Sequence, residues 1–304
     1  MFNTKFGIEI EFTGITRNKA AKVIAKYLNS EVQEGGTYYD KKLVEMSDGR
    51  KWTVMSDGSI NTQRKTDGRT VYVSNKLYSC ELVSPILTYN EDIETLQQIV
   101  RELRKAGAFV NQSCGIHIHL DGANHTVKTL KNFINIIYSK NDLLYSALQI
   151  KPERQHWCKK MDETLVNKIR TSRPQTMEKL EKIWYGGYYC TRTTHYNETR
   201  YHFLNLHSFF NGNHTVELRG FNSTLHAGEI RSYIVLALAL NNQALTQAKA
   251  STKKPQVENE KFAMRTYLNR IGLIGDDFKN CRMHLCKHLN GSAAWRYGTN
   301  NAQG

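Results

Sequence analysis

The sequence has none of the patterns that mark a membrane-spanning, secreted or disulfide-linked protein. Its longest apolar run, residues 234–240, is far shorter than the roughly 18 residues that a membrane span requires. The first residues lead directly into a strand pattern, without the basic and apolar segments of a secretory signal. The six cysteines include no CxxC pair, which is typical of reduced thiols. We therefore expect a cytoplasmic protein without a membrane partner.

Both common nucleotide-binding loops are missing as well. The sequence contains neither GxxxxGK followed by Ser or Thr nor GxGxxG. If this protein binds ATP, it does so by other means.

The sequence has fewer acidic than basic residues. The chain has 28 acidic residues against 42 Lys and Arg, which gives a net charge of +14. This excess favours an anionic partner such as a nucleotide, a nucleic acid or a polyacidic substrate. Much of it also lies in lysines on helix faces, such as Lys19, Lys22 and Lys26, where it is equally typical of an ordinary solvated surface.

The 304 residues suffice for one large domain or two small ones, with 40% hydrophobic and 23% charged residues as in an ordinary globular protein. Strand and helix patterns occur throughout. We expect one domain over residues 1–250, with an irregular, Lys- and aromatic-rich helical insertion at about 142–189. A Lys-Lys-Pro linker precedes a C-terminal helical extension over 256–304, which we expect to pack on the same domain.

The segment Phe-Gly-Ile-Glu-Ile-Glu-Phe at 6–12 alternates apolar and acidic residues. In a strand, Ile8 and Ile10 point to one face, so Glu9 and Glu11 share the other at a Cα separation of about 6.6 Å. Like charges this close repel each other, and a cation between them relieves the repulsion. The pattern therefore suggests a metal-binding strand face.

Two later segments repeat this layout. In Cys-Gly-Ile-His-Ile-His-Leu at 114–120, His117 and His119 share one face of a strand, and in Val-Glu-Leu-Arg at 216–219, Glu217 and Arg219 do so. Three such strands suggest one polar, metal-loaded face of a sheet. Alternatively, each is an ordinary half-exposed strand whose polar face contacts solvent.

Together these strands and the segment around Glu81 supply four carboxylates and two histidines, a donor set that favours Mg²⁺ or Mn²⁺ over zinc. Arginines beside such a site usually bind phosphate or carboxylate through paired N–H donors. The combination suggests phosphoryl transfer to or from a carboxylate. The candidates are Glu9, Glu11, Glu81, His117, His119, Arg200, Glu217 and Arg219.

At these residues the chain resembles the amidoligases, carboxylate–amine ligases of the glutamine synthetase and glutamate–cysteine ligase superfamily. The resemblance rests on the segments 7–12, 81–85 (Glu-Leu-Val-Ser-Pro), 114–119 and 216–219. Trp52, the Ser-Asp-Gly-Ser turn at 56–59 and residues 201–206, where the sequence predicts a strand, also follow the family's order. It covers roughly residues 4–250. It implies an α+β fold with a curved antiparallel sheet, helices on its outer face and an open polar face, like the catalytic domain of glutamine synthetase.

The resemblance also implies an activity: ATP- and Mg²⁺-dependent formation of an amide from a carboxylate and an amine through an acyl phosphate. Glu11 and Glu81 would hold the ion near the acceptor, and Glu9, His117 and Glu217 the ion that bridges the ATP phosphates. The basic charge hints at a peptide or another acidic macromolecule as acceptor, although nucleic acid is also a partner consistent with it.

The same resemblance implies roles for three further residues, and two more are candidates. His119 would contact the nucleotide or phosphate. Arg219, and with less support Arg200, would stabilise the transferred phosphoryl group or bind the substrate carboxylate. Asp57 either has a substrate role or is present because Asp is favoured for local backbone bonding in a tight turn. Asn205 is either a strand-end residue or an active-site amide.

Three other groups are ambiguous. Cys114 invites a nucleophile interpretation, but a packed thiol is favoured because it lacks a charge-relay partner. Cys281, His284 and His288 share a helix face, whereas Cys286 points away, so an ordinary basic helix end is favoured over a zinc site. An aromatic group either stacks on bases or packs as a lid; it comprises Tyr185, Tyr188, Tyr189 and Arg192.

Two other classes of function fit the same residues. One is a metal-dependent hydrolase or phosphoesterase, which needs no ATP. The other is a basic nucleic-acid-binding protein with a structural metal face, suggested by the charge of +14.

Overall fold

A large antiparallel sheet organises the protein. The computed structural model describes residues 1–186, 192–194 and 196–296. Within these residues eight strands form the main sheet, in the spatial order β2-β3-β4-β7-β1-β8-β10-β9, and β5 and β6 form a separate hairpin. The strands are β1 (Phe6–Phe12), β2 (Val32–Glu34), β3 (Lys42–Glu45), β4 (Lys51–Met55), β5 (Gln63–Thr66), β6 (Arg69–Tyr72), β7 (Cys80–Val83), β8 (Gly115–Asp121), β9 (Leu204–Asn205) and β10 (Thr215–Asn222).

Helices connect and cover these strands, so the fold is mixed α+β, as the sequence predicts. The helices in the described residues are α1 (Arg17–Leu28), α2 (Tyr89–Lys105), α3 (Val127–Leu148), α4 (Glu163–Ser172), α5 (Met177–Tyr185), α6 (His207–Phe210), α7 (Ala227–Thr246), α8 (Glu260–Arg270) and α9 (Lys279–Cys286). None of them is long and apolar enough to cross a membrane.

The alternation of the central strands separates the two faces of the sheet. Ile8, Ile10, Ile118 and Leu218 are fully or almost fully buried in the hydrophobic core. This core also contains the apolar faces of α1, α2, α3 and α7. Because successive side chains of a strand point to opposite faces, the polar residues between these positions lie on the other side of the sheet.

The C-terminal helices pack on the same body. Met264 and Leu268 of α8 and Leu285 of α9 are buried in the hydrophobic core that also holds the sheet. Helix α9 lies against α7, where the imidazole of His284 approaches Gly228.

The region expected to be a helical insertion differs from the prediction in two ways. Its first residues, 142–148, are the last two turns of α3, which ends at Leu148 with Gln149 in the left-handed conformation. The residues after it cover part of the polar face of the sheet, so this face is not open along its whole length. The segment returns to the sheet through Lys159, which bridges His202.

The strand predicted over 201–206 is much shorter than expected. Only Leu204 and Asn205 pair with β10, and a 3₁₀-helix at Glu198–Arg200 precedes them. Conversely, β10 extends to Asn222. It contains a bulge, since its register against β8 shifts between Leu218 and Phe221.

Candidate active site

Neighbouring strands bring the predicted acidic and histidine residues together on one face of the sheet. Glu11 lies opposite Glu81 across β1 and β7, and Glu9 lies opposite His117 across β1 and β8. Directly opposed residues of antiparallel strands have their side chains on the same face, with Cβ atoms about 4.5–5.5 Å apart. Residues far apart in the sequence therefore become neighbours.

The first group of potential metal ligands consists of Glu9, His117 and Glu217, whose donor atoms all lie within 4.8 Å of one another. His117 Nδ1 is 2.9 Å from Glu9 Oε2 and 3.9 Å from Glu217 Oε1. His119 lies beside this group, with Nε2 at 3.2 Å from Glu9 Oε1 and 3.9 Å from Glu217 Oε1. His117 and Glu217 are buried, whereas Glu9 and His119 are partly accessible.

The second group consists of Glu11, Glu81 and His117, whose donor atoms also lie within 4.8 Å of one another. His117 Nε2 is 3.9 Å from Glu11 Oε1, so the two ring nitrogens of His117 face different carboxylates. The backbone N–H of Gly115 donates to Glu11 Oε2 at 2.6 Å and fixes that side chain. All three members of this group are buried.

The second group contains two carboxyl groups with raised pKa values. Burial, followed by the charge of Asp57, raises the pKa of Glu11 to about 8. Burial and the charges of Glu9 and Glu11 raise the pKa of Glu81 well above its ordinary value. Both carboxyls thus lie in surroundings that disfavour their charged form, which a bound cation would stabilise.

In the first group, by contrast, both carboxyl groups have lowered pKa values. Burial opposes the ionisation of Glu9, but the charge of His119 and the hydrogen bond with His117 hold its pKa well below its ordinary value. Burial likewise opposes the ionisation of Glu217, yet Arg219 and then His119 lower its pKa to about 2.

The two histidines differ from each other. Burial and the charge of Arg219 lower the pKa of His117, so that its ring is neutral at neutral pH. Burial also acts against protonation of His119, but Glu217 and Glu9 outweigh it and raise its pKa to about 9. The neutral imidazole of His117 is the form that binds metals.

The donor sets therefore fit divalent cations. Each offers two carboxylates and shares one neutral imidazole, and oxygen-rich sites of this kind suit Mg²⁺ or Mn²⁺. The raised pKa values of Glu11 and Glu81 indicate that a cation bound beside these two carboxyl groups would stabilise their charged form.

Two neighbours orient Glu217. Arg219 Nη1 donates to Glu217 Oε1, and Asn205 Nδ2 donates to Glu217 Oε2 at 2.6 Å. Asn205 is itself fixed, because its Oδ1 accepts a hydrogen bond from the N–H of His207. The Nε of Arg219 is buried and has no hydrogen-bond partner among the described residues, so this N–H remains able to bind a ligand.

The polar face forms the floor of a cavity of about 500 Å³. Asp57 lies at its edge, in the turn after β4, and accepts hydrogen bonds from the N–H and hydroxyl of Ser59. Arg200 lies on the opposite wall, with its guanidinium over the rings of Tyr196 and Tyr201. Both predicted residues thus reach the cavity, although neither belongs to the two carboxylate groups.

Several cavity residues were not predicted from the sequence. Arg154 and Trp157 come from the segment after α3, and Tyr39 and Tyr196 contribute further aromatic side chains. One residue in the sequence could have indicated them. Gly115 lies two residues before His117 on the same strand face and has no side chain, so it leaves a gap in the row of functional side chains that another residue can fill.

The ambiguous cysteines are not among the described residues that line the cavity. Cys114 is buried, and burial raises the pKa of its thiol to about 12, as expected of a packed thiol. Cys281 and Cys286 are both buried in the core, and neither they nor His284 and His288 belong to a potential metal-binding group in the described part of the chain.

The aromatic group of the sequence analysis is only partly described. Tyr185 is buried and its hydroxyl lies 2.8 Å from His207 Nδ1, and Arg192 pairs with Glu181. Tyr188 and Tyr189 lie outside the residues that the structure describes.

Comparison with known proteins gives one family. A search of the curated proteins finds no match. A family model described as "putative amidoligase enzyme" matches residues 3–241, which include every strand of the sheet and all the candidate ligands. The chain therefore belongs to this amidoligase family, as its motifs suggested.

Proposed function

We propose that this protein is an ATP- and Mg²⁺-dependent ligase that joins a carboxylate substrate to an amine. The observation that carries the proposal is the pair of carboxylate groups that share His117, next to Arg219; all of these residues except the buried Glu217 line one cavity. Membership of the amidoligase family supports an amide-forming ligase in general terms. The antiparallel sheet with helices on its apolar face is consistent with a platform like that of glutamine synthetase.

Glu9, His117 and Glu217 would hold one ion, and Glu11 and Glu81 would hold another, with His117 within reach of both. Bound there, divalent ions would neutralise the charge of the ATP phosphates and of the substrate carboxylate. Glu217 is prepared for this role because Asn205 and Arg219 fix its two oxygens.

The reaction would have two steps. A carboxylate oxygen of the substrate attacks the γ-phosphorus of ATP. The bond between this phosphorus and the oxygen of the β-phosphate breaks, which releases ADP and forms an acyl phosphate. The amine then attacks the acyl carbon, and the C–O bond breaks, releasing inorganic phosphate and a proton. Arg219 would stabilise the charge that spreads over the transferred phosphoryl group, since its Nε–H has no protein partner in the described residues.

The excess of positive charge supports an acidic acceptor, either a small carboxylate or a carboxylate-bearing peptide or other acidic macromolecule. We propose no dedicated nucleic-acid site, because the residues of the cavity fit metal and carboxylate chemistry instead.

An ATP-consumption screen tests the proposal. The protein is incubated with Mg²⁺ and ATP across panels of amino acids, polyamines, peptides and modified nucleic acids, and ADP and new amide products are measured. We expect ADP only when a carboxylate and an amine are both present, and none from the Glu217→Gln variant. Glu102 on α2, which is partly exposed and pairs with Lys105 away from the lining of the cavity, provides a matched control, Glu102→Gln, which should be fully active. Hydrolysis of an ester or phosphoester without ATP would favour the metal-dependent hydrolase instead.

A further inference from the structure

The guanidinium of Arg154 lies on the active face of the sheet although Arg154 belongs to no strand. It ends a 3₁₀-helix at Pro152–Arg154, in the segment that follows α3. The residue is 3% exposed and lines the same cavity as Glu11, Glu81 and Arg219.

Arg154 fills the position that a side chain at Gly115 would otherwise take. A Cβ atom added to Gly115 would lie 2.2 Å from Arg154 Nη2 and 2.7 Å from its Cζ. Since Gly115 and His117 are two residues apart on β8, their side-chain positions share one face. The guanidinium therefore continues the row formed by His117 and His119, next to Glu11, whose carboxylate binds the Gly115 N–H.

Two backbone carbonyls hold the guanidinium in this place. Arg154 Nη1 donates to the carbonyl of Phe221, and Nη2 donates to the carbonyl of Arg219 at 3.3 Å. Both carbonyls belong to the bulge of β10, where the ladder with β8 is interrupted. The bulge thus supplies acceptors that position Arg154, and its neutral carbonyls leave the positive charge uncompensated.

Within residues 1–186, 192–194 and 196–296, no carboxylate forms an ion pair with Arg154. The charge of Arg154 does act on Glu11, where it opposes the rise of the carboxyl pKa, but Glu11 belongs to the second group of potential metal ligands. A buried charge without a counterion is costly, and buried arginines are therefore usually paired. Buried Arg17 illustrates the usual case, because Asp40 lies 2.7 Å from its guanidinium.

We propose that Arg154 is a substrate-binding residue whose guanidinium binds the carboxylate group of the acceptor. This inference rests on the proposed ligase function and makes it more specific. The carboxylate would lie between Arg154 and the Glu11, Glu81 and His117 group, so that one of its oxygens faces the cation and the other faces the guanidinium. Arg219, whose Nη1 is bound to Glu217, keeps its Nε–H for the transferred phosphoryl group. The segment after α3 thereby selects the substrate, because it supplies the residue that recognises it.

The alternative is that Arg154 only stabilises the bulge of β10. Loss of a purely structural residue lowers the melting temperature and leaves the affinity for a carboxylate unchanged. Loss of a carboxylate-binding residue weakens the binding of carboxylates specifically.

Binding measurements without turnover separate these outcomes. Succinate serves as the carboxylate probe and is titrated into the Mg²⁺-loaded protein by calorimetry; ATP is titrated separately. The variants are Arg154→Met, Arg154→Lys and the matched control Arg170→Met, which removes an exposed arginine of α4 in the same segment. We expect Arg154→Met to weaken succinate binding at least about tenfold, the loss expected for one charge-assisted hydrogen bond. ATP affinity should be unchanged, and Arg170→Met should resemble the wild type.

Equal succinate affinity in the wild type and Arg154→Met, or absence of succinate binding by the wild type, would overturn the proposal. If Arg154→Met fails to fold, Arg154→Lys decides, because lysine keeps the charge but not the planar fork of donors. It should bind succinate at least about threefold more weakly than the wild type, and an unchanged affinity would overturn the proposal. Succinate binding through Arg154 in a protein that never forms ADP would contradict the ligase function and leave the Arg154 site intact.

Discussion

Glu11 and Glu81 lie directly opposite each other on neighbouring strands, and both carboxyl groups are buried. Burial raises the pKa of Glu11 to about 8, and burial together with Glu9 and Glu11 raises that of Glu81 well above its ordinary value. Two buried acids at this spacing destabilise the fold when they ionise without a counterion. We therefore expect this pair to link the stability of the protein to a bound cation.

The first prediction follows from the raised pKa of Glu11. The pKa of Glu11 is higher in the folded state than in the unfolded state, so without metal the stability that it contributes is lost as the pH rises toward about 8. A bound cation removes this penalty. We therefore expect Mg²⁺ or Mn²⁺ to raise the melting temperature more at about pH 8 than at about pH 6.

The control is Glu81→Gln, which removes one of the two acids. It should melt at least as high as the wild type without metal and gain less from Mg²⁺. EDTA should abolish turnover while leaving the protein folded. Unfolding by EDTA, together with stoichiometric zinc retained through dialysis, would contradict this account.

The second prediction concerns Arg219. Its Nη1 is bound to Glu217, whereas its Nε has no partner in the described part of the chain. Loss of one such preorganised donor typically lowers turnover by about 10² to 10³. We expect Arg219→Lys to fold normally, to keep most of its nucleotide affinity, and to lose at least about 10² in turnover, since lysine lacks the planar fork of donors.

The competing explanation is that Arg219 only forms a structural ion pair with Glu217. In that case Arg219→Lys would be almost as active as the wild type, and Arg219→Met would mainly lower the melting temperature. Turnover and melting temperature measured on both variants distinguish the two roles.

The third prediction concerns Asn205, which orients Glu217 through a hydrogen bond of 2.6 Å. Groups that orient metal ligands typically contribute about 10- to 100-fold to metal affinity. Asn205→Ala should therefore raise the Mg²⁺ concentration needed for half-maximal activity by about tenfold or more. The exposed Asn213 supplies the control Asn213→Ala, and the same Mg²⁺ dependence in both variants would refute the orienting role.

The fourth prediction concerns a structural carboxylate remote from the candidate ligands. Asp92 accepts hydrogen bonds from Arg50, at 2.7 and 3.0 Å, and from the N–H of Thr88 at 2.7 Å. Burial opposes its ionisation, but these bonds outweigh it and lower its pKa. Its contribution to stability is therefore present above its unfolded-state pKa and is lost as the pH falls through its folded-state pKa.

We expect Asp92→Asn to lower the free energy of unfolding by about 1–3 kcal/mol at neutral pH. The difference from the wild type should shrink in acid, as the pH falls below 3.8 through the lowered folded-state pKa and the wild-type carboxyl is protonated as well. Urea unfolding at neutral and at acid pH measures this. The exposed Asp277 provides a control, Asp277→Asn, and a pH-independent difference for Asp92→Asn would show that its charge is irrelevant.

The central strands were predictable because their alternation is strict. Placing Ile8 and Ile10 on one face leaves Glu9 and Glu11 on the other, whatever the remaining fold. The same holds for His117 and His119. Which strands become neighbours does not follow from alternation. The expectation that the polar faces coincide came from the three strands that repeat this layout, and the order of the family's motifs agreed with it.

The residues that cover the polar face were not predictable from local pattern. Arg154 reaches the sheet from a 3₁₀-helix, which has no periodic signal, and its partners are backbone carbonyls at a bulge. Such acceptors are present at every residue, so sequence alone does not reveal which of them will be unpaired. The short strand β9 was overestimated because Tyr201 and Phe203 favour strands, whereas the preceding residues form a 3₁₀-helix.

The most direct test of the central claim follows an oxygen atom from the substrate carboxylate. The carboxylate substrate identified by the screen is enriched in oxygen-18 and converted with Mg²⁺, ATP and the amine, and the released inorganic phosphate is analysed by mass spectrometry. If the metal-binding face forms an acyl phosphate, each turnover transfers one labelled oxygen from the carboxylate to phosphate. Unlabelled phosphate, with oxygen derived from water, would contradict the proposed mechanism.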